Sequence, residues 1–130
     1  MSKFALACAA AGLCATALTL APVARAAAPS SGVVLINPFE ARPGREAECL
    51  AMWKRAADFL RAKPGFRSTA LHESLQPDAR FRYVNVAVWD SAQAFRAAVS
   101  DPAFRQLSAT DACTGSPALY TVVTTGADFR

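Results

Sequence analysis

Two side-chain amides stand in segments that are otherwise apolar. Asn37 lies in VVLINPF and Asn85 in YVNVAVW. Burying an amide costs free energy unless its donors and acceptor are paired. Such residues on a buried strand either bond one another or serve a ligand, and donors set in an apolar surface can stabilise an oxygen-centred anion. Asn37 has the alternative of serving the turn beside Pro38, and Asn85 that of a structural hydrogen bond to Asn37. Trp89 ends the second segment. Its indole N–H can donate to a substrate oxygen, or its ring can simply fill core. Trp53 poses the same choice, and Phe95 joins the two tryptophans as a candidate pocket aromatic. Tyr83 offers a phenol for an oxyanion or for packing. His72 is the sole histidine, so any imidazole base must be His72; on an edge strand it is merely solvated.

These residues need strands and helices to position them. Val33 to Phe39 is short, β-branched and apolar, which predicts a strand, with Pro38 pointing to an edge position or an early end of pairing. Arg45 to Ala62 repeats apolar residues at helical spacing and predicts the long helix, stopped by Lys63-Pro64-Gly65. Phe66 to Leu75 predicts a second strand, Gln76 to Ala79 a turn, and Phe81 to Trp89 a third strand. Asp90 or Ser91 caps a second helix over Ala92 to Val99, and Asp101-Pro102 opens another helical turn through Leu107. Ala109 to Ser116 reads as a loop, Ala118 to Val123 as a fourth strand, and Thr124 to Arg130 as a polar tail.

The order β-α-β-β-α-β predicts an α+β, ferredoxin-like domain over 33–123, with a four-stranded antiparallel sheet and both helices on one face. Strands one and three are neighbours in that arrangement, so Asn37 and Asn85 can meet. Val33 to Ile36, Val84 to Trp89 and Leu119 to Val123 are apolar at consecutive rather than alternate positions. Both faces of the sheet therefore need cover, the helices supply it on one, and a second copy of the chain is expected on the other.

The chain starts with a different kind of sequence. Lys3 precedes the uncharged, apolar run Phe4 to Leu20, and Pro22 and Ala24-Arg25-Ala26 follow. This layout predicts a secretory signal peptide over residues 1–26, a flexible lead-in over 27–32, and a periplasmic or secreted product. Cleavage removes Lys3 and Arg25 and no acid, so a net charge of +4 falls to +2. The remaining arginines are scattered, which argues against a nucleic-acid partner. No later stretch is long and apolar enough to suggest a membrane span. Cys49 and Cys113 remain, with no CxxC and no histidine cluster, so metal binding through them is not expected.

VVLINPFEARPGRE, KPGFRSTALHESL, ARFRYVNVAVWDSAQAFRAAVSDPAF and PALYTVV together resemble the antibiotic biosynthesis monooxygenase family, over about Val33 to Val123. The resemblance implies a dimeric α+β barrel with a small cavity in each subunit, between sheet and helices. It implies either a cofactor-independent monooxygenase of small aromatic or quinol-type substrates or a non-catalytic dimer that holds a hydrophobic or haem-like ligand; a structural module with its pocket filled by Trp53, Trp89 and Phe95 is a third outcome. Oxygen transfer without metal or flavin needs a substrate anion that supplies the electrons, and a site that favours the anion and excludes water. Asn37, Asn85, Trp89 and His72 are then the candidate catalytic groups, and Trp53, Tyr83 and Phe95 the candidate substrate contacts. Haem-degrading members carry an Asn matching Asn37, but their Trp falls at Ala98 and their His at Ser108, which disfavours that route here. Many members also have a His before the last strand, where this chain has Cys113 to Pro117. In the implied fold Cys49, near the start of the long helix, and Cys113, in the loop before the last strand, come to the same end of the sheet. They are expected either to form a disulfide over the pocket mouth or to stay as two buried thiols.

Overall fold

The computed structural model describes residues 32–125. The expected signal segment and most of the lead-in and tail lie outside the described residues. The elements are β1 (Val33–Ala41), α1 (Glu46–Arg61), β2 (Phe66–Glu73), β3 (Tyr83–Trp89), α2 (Ala92–Val99), α3 (Pro102–Leu107), β4 (Cys113–Gly115) and β5 (Ala118–Tyr120). All pairings are antiparallel. The sheet order is β2-β3-β1-β4, with β5 also on β1. This is the expected ferredoxin-like arrangement.

Three expectations need correction. The single fourth strand is two short ones, β4 and β5, giving five strands rather than four, and part of the expected loop 109–116 is β4. Pro117 has no N–H to donate, so the ladder breaks there, and Val122 and Val123 lie beyond it, exposed. Pro38 does not mark an edge, since β1 runs between β3 and β4/β5. The Pro38 carbonyl accepts from Ser116 N at 3.0 Å. A residue's N and O point to the same side of an antiparallel strand, so the donor Pro38 lacks falls at the break between β4 and β5. Finally, Leu75 lies beyond β2 and is fully exposed, in the turn rather than the strand.

Alternation in β1 and β3 separates two faces. Leu35, Phe39, Tyr83, Asn85, Ala87 and Trp89 are buried under the helices. Val34, Ile36, Val84, Val86 and Val88 are half-buried on the other side. α1 has glutamates in its first turn and Arg61 in its last, both favourable to the helix dipole, and buries Cys49, Met52, Ala56 and Ala57 along one stripe. Gly65 ends the following turn at φ 82°, and a Cβ there would meet the Ala94 Cβ at 2.5 Å, so the turn packs against α2 only as glycine. Ser91 caps α2 by accepting from Ala94 N at 3.1 Å. Asp101 caps α3 by accepting from Ala103 N at 2.9 Å, with Pro102 at the first helical position. The core has two clusters. Phe39, Cys49, Met52, Tyr83 and Cys113 form one, and Leu35, Ala87, Trp89 and Ala98 the other.

Candidate functional site

Between the helix-covered sheet face and the helices lies a cavity of about 370 Å³. Leu35, Met52, Trp53, Leu60, Phe66, Phe95 and Phe104 make it apolar, and its polar lining comes from Asn37, Thr69, Asn85, Ser108 and Thr110. Among the described residues no Asp, Glu, His, Lys, Arg or Tyr side chain lines it, and the one cysteine among them that does, Cys113, is bonded to Cys49.

Asn37 and Asn85 are direct register partners on β1 and β3. Both face the helices, because residues of one parity on paired strands share a face. They do not bond one another. Thr69 Oγ1 on β2 donates to Asn85 Oδ1 at 2.6 Å. Asn37 Oδ1 is enclosed and has no partner. It lies under β4, where a Cβ on Gly115 would come within 2.9 Å of it. Among the described residues neither Nδ2 has a hydrogen-bond partner, and neither is among the enclosed, unpartnered atoms. The two NH₂ ends are therefore the parts of these amides left open to the cavity. The Trp89 Nε1 donor is enclosed and unpartnered as well. An unpaired buried donor or acceptor costs about 1–3 kcal/mol, so the site keeps polar groups that the fold itself does not use.

Trp89 is 0% exposed. Phe66 stands edge-on to it at 5.4 Å, and Phe95 at 5.6 Å. Trp89 is thus both core and cavity wall. Trp53, Trp89 and Phe95 line the space rather than fill it. Tyr83 and His72 are not brought to the cavity. Tyr83 packs in the first cluster, its hydroxyl 3.5 Å from the Glu46 carbonyl. His72 is exposed on the edge strand β2, its Nδ1 3.2 Å from the Val84 carbonyl; its side chain faces away from the helices, as the parity of its partner Val84 requires.

Thr69, Phe66, Met52, Phe104, Thr110 and Gly115 also line the cavity and were not singled out from the sequence. Phe66 and Thr69 are three apart and still share a face, because the pairing shifts by one residue between Phe66 and Ser68. Simple alternation cannot find that pair. The hydroxyl of Thr69, beside an amide-bearing strand, was the available signal.

The far wall is a strap from Thr110 to Pro117, tied down at several points. Of the two alternatives expected for Cys49 and Cys113, 64 residues apart, the structure has the disulfide, with a Cα–Cα distance of 5.6 Å. Arg45 Nη1 lies 2.8 Å from Asp111 Oδ2 and Nη2 lies 2.6 Å from Glu48 Oε2. Arg42 N donates to the Ala112 carbonyl at 2.8 Å. Hydrogen bonding to Arg45 holds both Glu48 and Asp111 below the usual carboxylate range and raises the guanidinium in turn. Asp101 is lowered by its bond to Lys63. All of these charged groups lie outside the cavity lining.

The sequence profile described as antibiotic biosynthesis monooxygenase matches residues 32–110. Deoxynogalonate monooxygenase of Streptomyces nogalater is 40% identical over 73 residues, which are 55% of this chain and 58% of that protein, so the match spans little over half of that relative. Among solved structures, a candidate monooxygenase from Shewanella loihica superposes with a TM-score of 0.66 at 35% identity, covering 74% of this chain and 98% of that one. SnoaB, a cofactor-independent oxygenase from Streptomyces nogalater, gives a TM-score of 0.64 at 30% identity, covering 74% and 97%. The haem-degrader MhuD from Mycobacterium tuberculosis, with two haems bound, gives 0.51 at 29% identity, covering 72% and 97%. The lining here does not suit haem held by an imidazole. Ser108 lines the cavity, Ala98 is buried in the core, and His72 is outside. The match over 32–110 takes in β1 through α3, the elements that carry Asn37, Asn85 and Trp89, and on it the chain belongs to the antibiotic biosynthesis monooxygenase family.

Proposed function

We propose that the protein is an exported, homodimeric monooxygenase that oxidises a small phenol or quinol with O₂, the substrate anion itself supplying the electrons. The observation that carries this reading is the pair of unbonded amide NH₂ ends, on register partners, in an apolar cavity with no titratable side chain among its described lining residues. The likeness to a cofactor-independent oxygenase supports it.

Neutral donors in an apolar cavity from which a bound phenol displaces water favour its anion, because water then no longer screens the N–H dipoles. The Nδ2 groups of Asn37 and Asn85 hold the phenolate oxygen. Trp89, Phe66 and Phe95 present aromatic faces and edges to the ring. The anion passes one electron to O₂, and the two radicals join through a new C–O bond at a ring carbon bearing hydrogen. The hydroperoxide breaks its O–O bond, that carbon loses its hydrogen, and water leaves. A phenol plus O₂ thus gives a quinone plus water: one oxygen atom stays on carbon, and the other departs with the two hydrogens lost from the substrate. With no carboxylate or imidazole among the described lining residues, the phenol proton goes to solvent at the mouth, and the peroxide takes a proton back from solvent to become the hydroperoxide that loses water. The pH dependence of kcat/KM then follows the ionisation of the substrate rather than that of a protein group.

Oxygen uptake over a panel of phenols and quinols of graded acidity tests the reading. Turnover that rises with the ionised fraction of the substrate is expected; no uptake across the panel contradicts it. The second reading, a non-catalytic dimer that holds a hydrophobic ligand, draws on the same apolar lining, and a co-purifying ligand with no turnover would favour it. The dimer would pair the open faces formed by Val34, Ile36, Val84, Val86 and Val88. Export rests on the composition of residues 1–26, and the N-terminal mass of secreted material checks it.

A further inference from the structure

We infer that Thr69 is the positioning residue that sets the direction of the Asn85 amide, and so makes it a donor toward the cavity. This rests on the oxyanion role proposed above for Asn85. An amide has one acceptor end and one end with two donors, nearly equal in shape, and can present either. If the carbonyl faced the cavity it would repel a phenolate; if the NH₂ faces it, the anion is bound. Asn85 is only 7% exposed, so water does not settle the choice. Its backbone partner across the sheet, Asn37, does not settle it either, since the two side chains do not bond. Among the described residues the sole hydrogen bond to the Asn85 side chain comes from Thr69, whose hydroxyl donates to Oδ1 at 2.6 Å. That bond occupies the acceptor end and leaves both N–H groups for the cavity. It also polarises the amide, which strengthens those donors.

The backbone places Thr69 there for an identifiable reason. The pairing shift between Phe66 and Ser68 turns Thr69 onto the helix-covered face opposite Ala87, two pairs along from Asn85 and so its neighbour on that face. Without that irregularity the register from Phe66 would turn Thr69 outward opposite Val86 and put Ser68 in its place opposite Ala87. Thr69 also lines the cavity, but its bond to Oδ1 spends the hydroxyl hydrogen on the amide, so Thr69 acts on the anion through Asn85.

The test uses 4-nitrophenol, whose ionised form absorbs separately from the neutral form, so the apparent pKa of the bound probe is read directly. Wild-type protein is expected to lower that pKa below its value in free solution. Thr69→Val keeps the β-branched shape and removes the hydroxyl; it is expected to lose about three- to tenfold of the preference for phenolate over phenol. Thr69→Ser is expected to restore most of it, and kcat is expected to fall more than KM rises in Thr69→Val. Thr69→Ala replaces Thr69→Val in the same comparison if thermal unfolding shows that Thr69→Val is not folded. Wild-type preference in the hydroxyl-free variant, or a serine variant that behaves like it, overturns the inference while the oxyanion reading stands. A wild-type protein that does not favour the phenolate overturns the oxyanion reading and the role of Thr69 with it.

Discussion

The two faces of the sheet are built from the same strands and have different work. On β1 and β3 the odd-numbered positions, among them Leu35, Asn37, Asn85 and Trp89, lie under the helices around the cavity; the even-numbered ones, Val34, Ile36, Val84, Val86 and Val88, form an open, half-buried face. Polar groups on the covered face are amides and hydroxyls without charge, while the open face between its edges is almost entirely Val and Ile. A neutral polar group in a closed apolar space is a tool for binding charge. A smooth aliphatic face that no described element covers is the surface that the proposed dimer would use. The difference teaches that burial alone does not rank functional importance: the enclosed unpaired atoms are all on the cavity side except Arg82 Nε.

The comparison can be broken from either side. The largest effect is expected where the covered face is clamped. Replacing both Cys49 and Cys113 by Ala opens a 64-residue connection in the unfolded chain and is expected to cost about 4 kcal/mol of unfolding free energy by denaturant titration. Next comes the site itself. Asn85→Ala or Asn37→Ala is expected to lower kcat about a hundredfold, the usual scale for an oxyanion donor, with little change in dimer mass. On the open face, Val86→Lys puts a charge between its sheet neighbours Ile36 and Ala70. It is expected to weaken self-association at least about tenfold by light scattering, while an isolated subunit keeps its cavity. A dimer unaffected by Val86→Lys would place the interface elsewhere.

The smallest effect concerns the strap. Asp111 has its carboxyl lowered by Arg45. A carboxylate lowered in the folded state stabilises the protein above its unfolded value, and that contribution fades as pH falls through the folded one. Asp111→Asn is therefore expected to leave neutral-pH unfolding almost unchanged and to flatten slightly the loss of Tm on the acid side, since Asp111 is well exposed and solvent screens it.

How much of this was legible in the sequence follows from which signals are local. Helix periodicity over 45–62, the Ser91 and Asp101 caps, and the Gly65 stop are written in neighbouring residues, and the structure has them. The consecutive apolar residues of β1 and β3 announced two needy faces, and strand order put Asn37 beside Asn85. What alternation could not supply was phase. The shift at Phe66–Ser68 moved Thr69 into the cavity, and the break at Pro117 split the last strand over the strap. Tyr83 looked like a site residue because a phenol is versatile, yet it sits opposite Phe39, two pairs from Asn37 and Asn85, and packs with Phe39 and the disulfide rather than on the cavity. His72 drew notice as the sole imidazole, and its parity on β2, opposite Val84, turned it outward.

The central claim is that neutral amides, with no protein base, hold a substrate anion for reaction with O₂. Its most direct measurement is oxygen uptake against pH for a series of phenols and quinols of different acidity, in wild-type protein and in Asn85→Ala. The account predicts a single rise whose midpoint moves with each substrate's own acidity, and a loss of about a hundredfold in the variant at every pH. A midpoint fixed across the series, or equal turnover by Asn85→Ala, would contradict it.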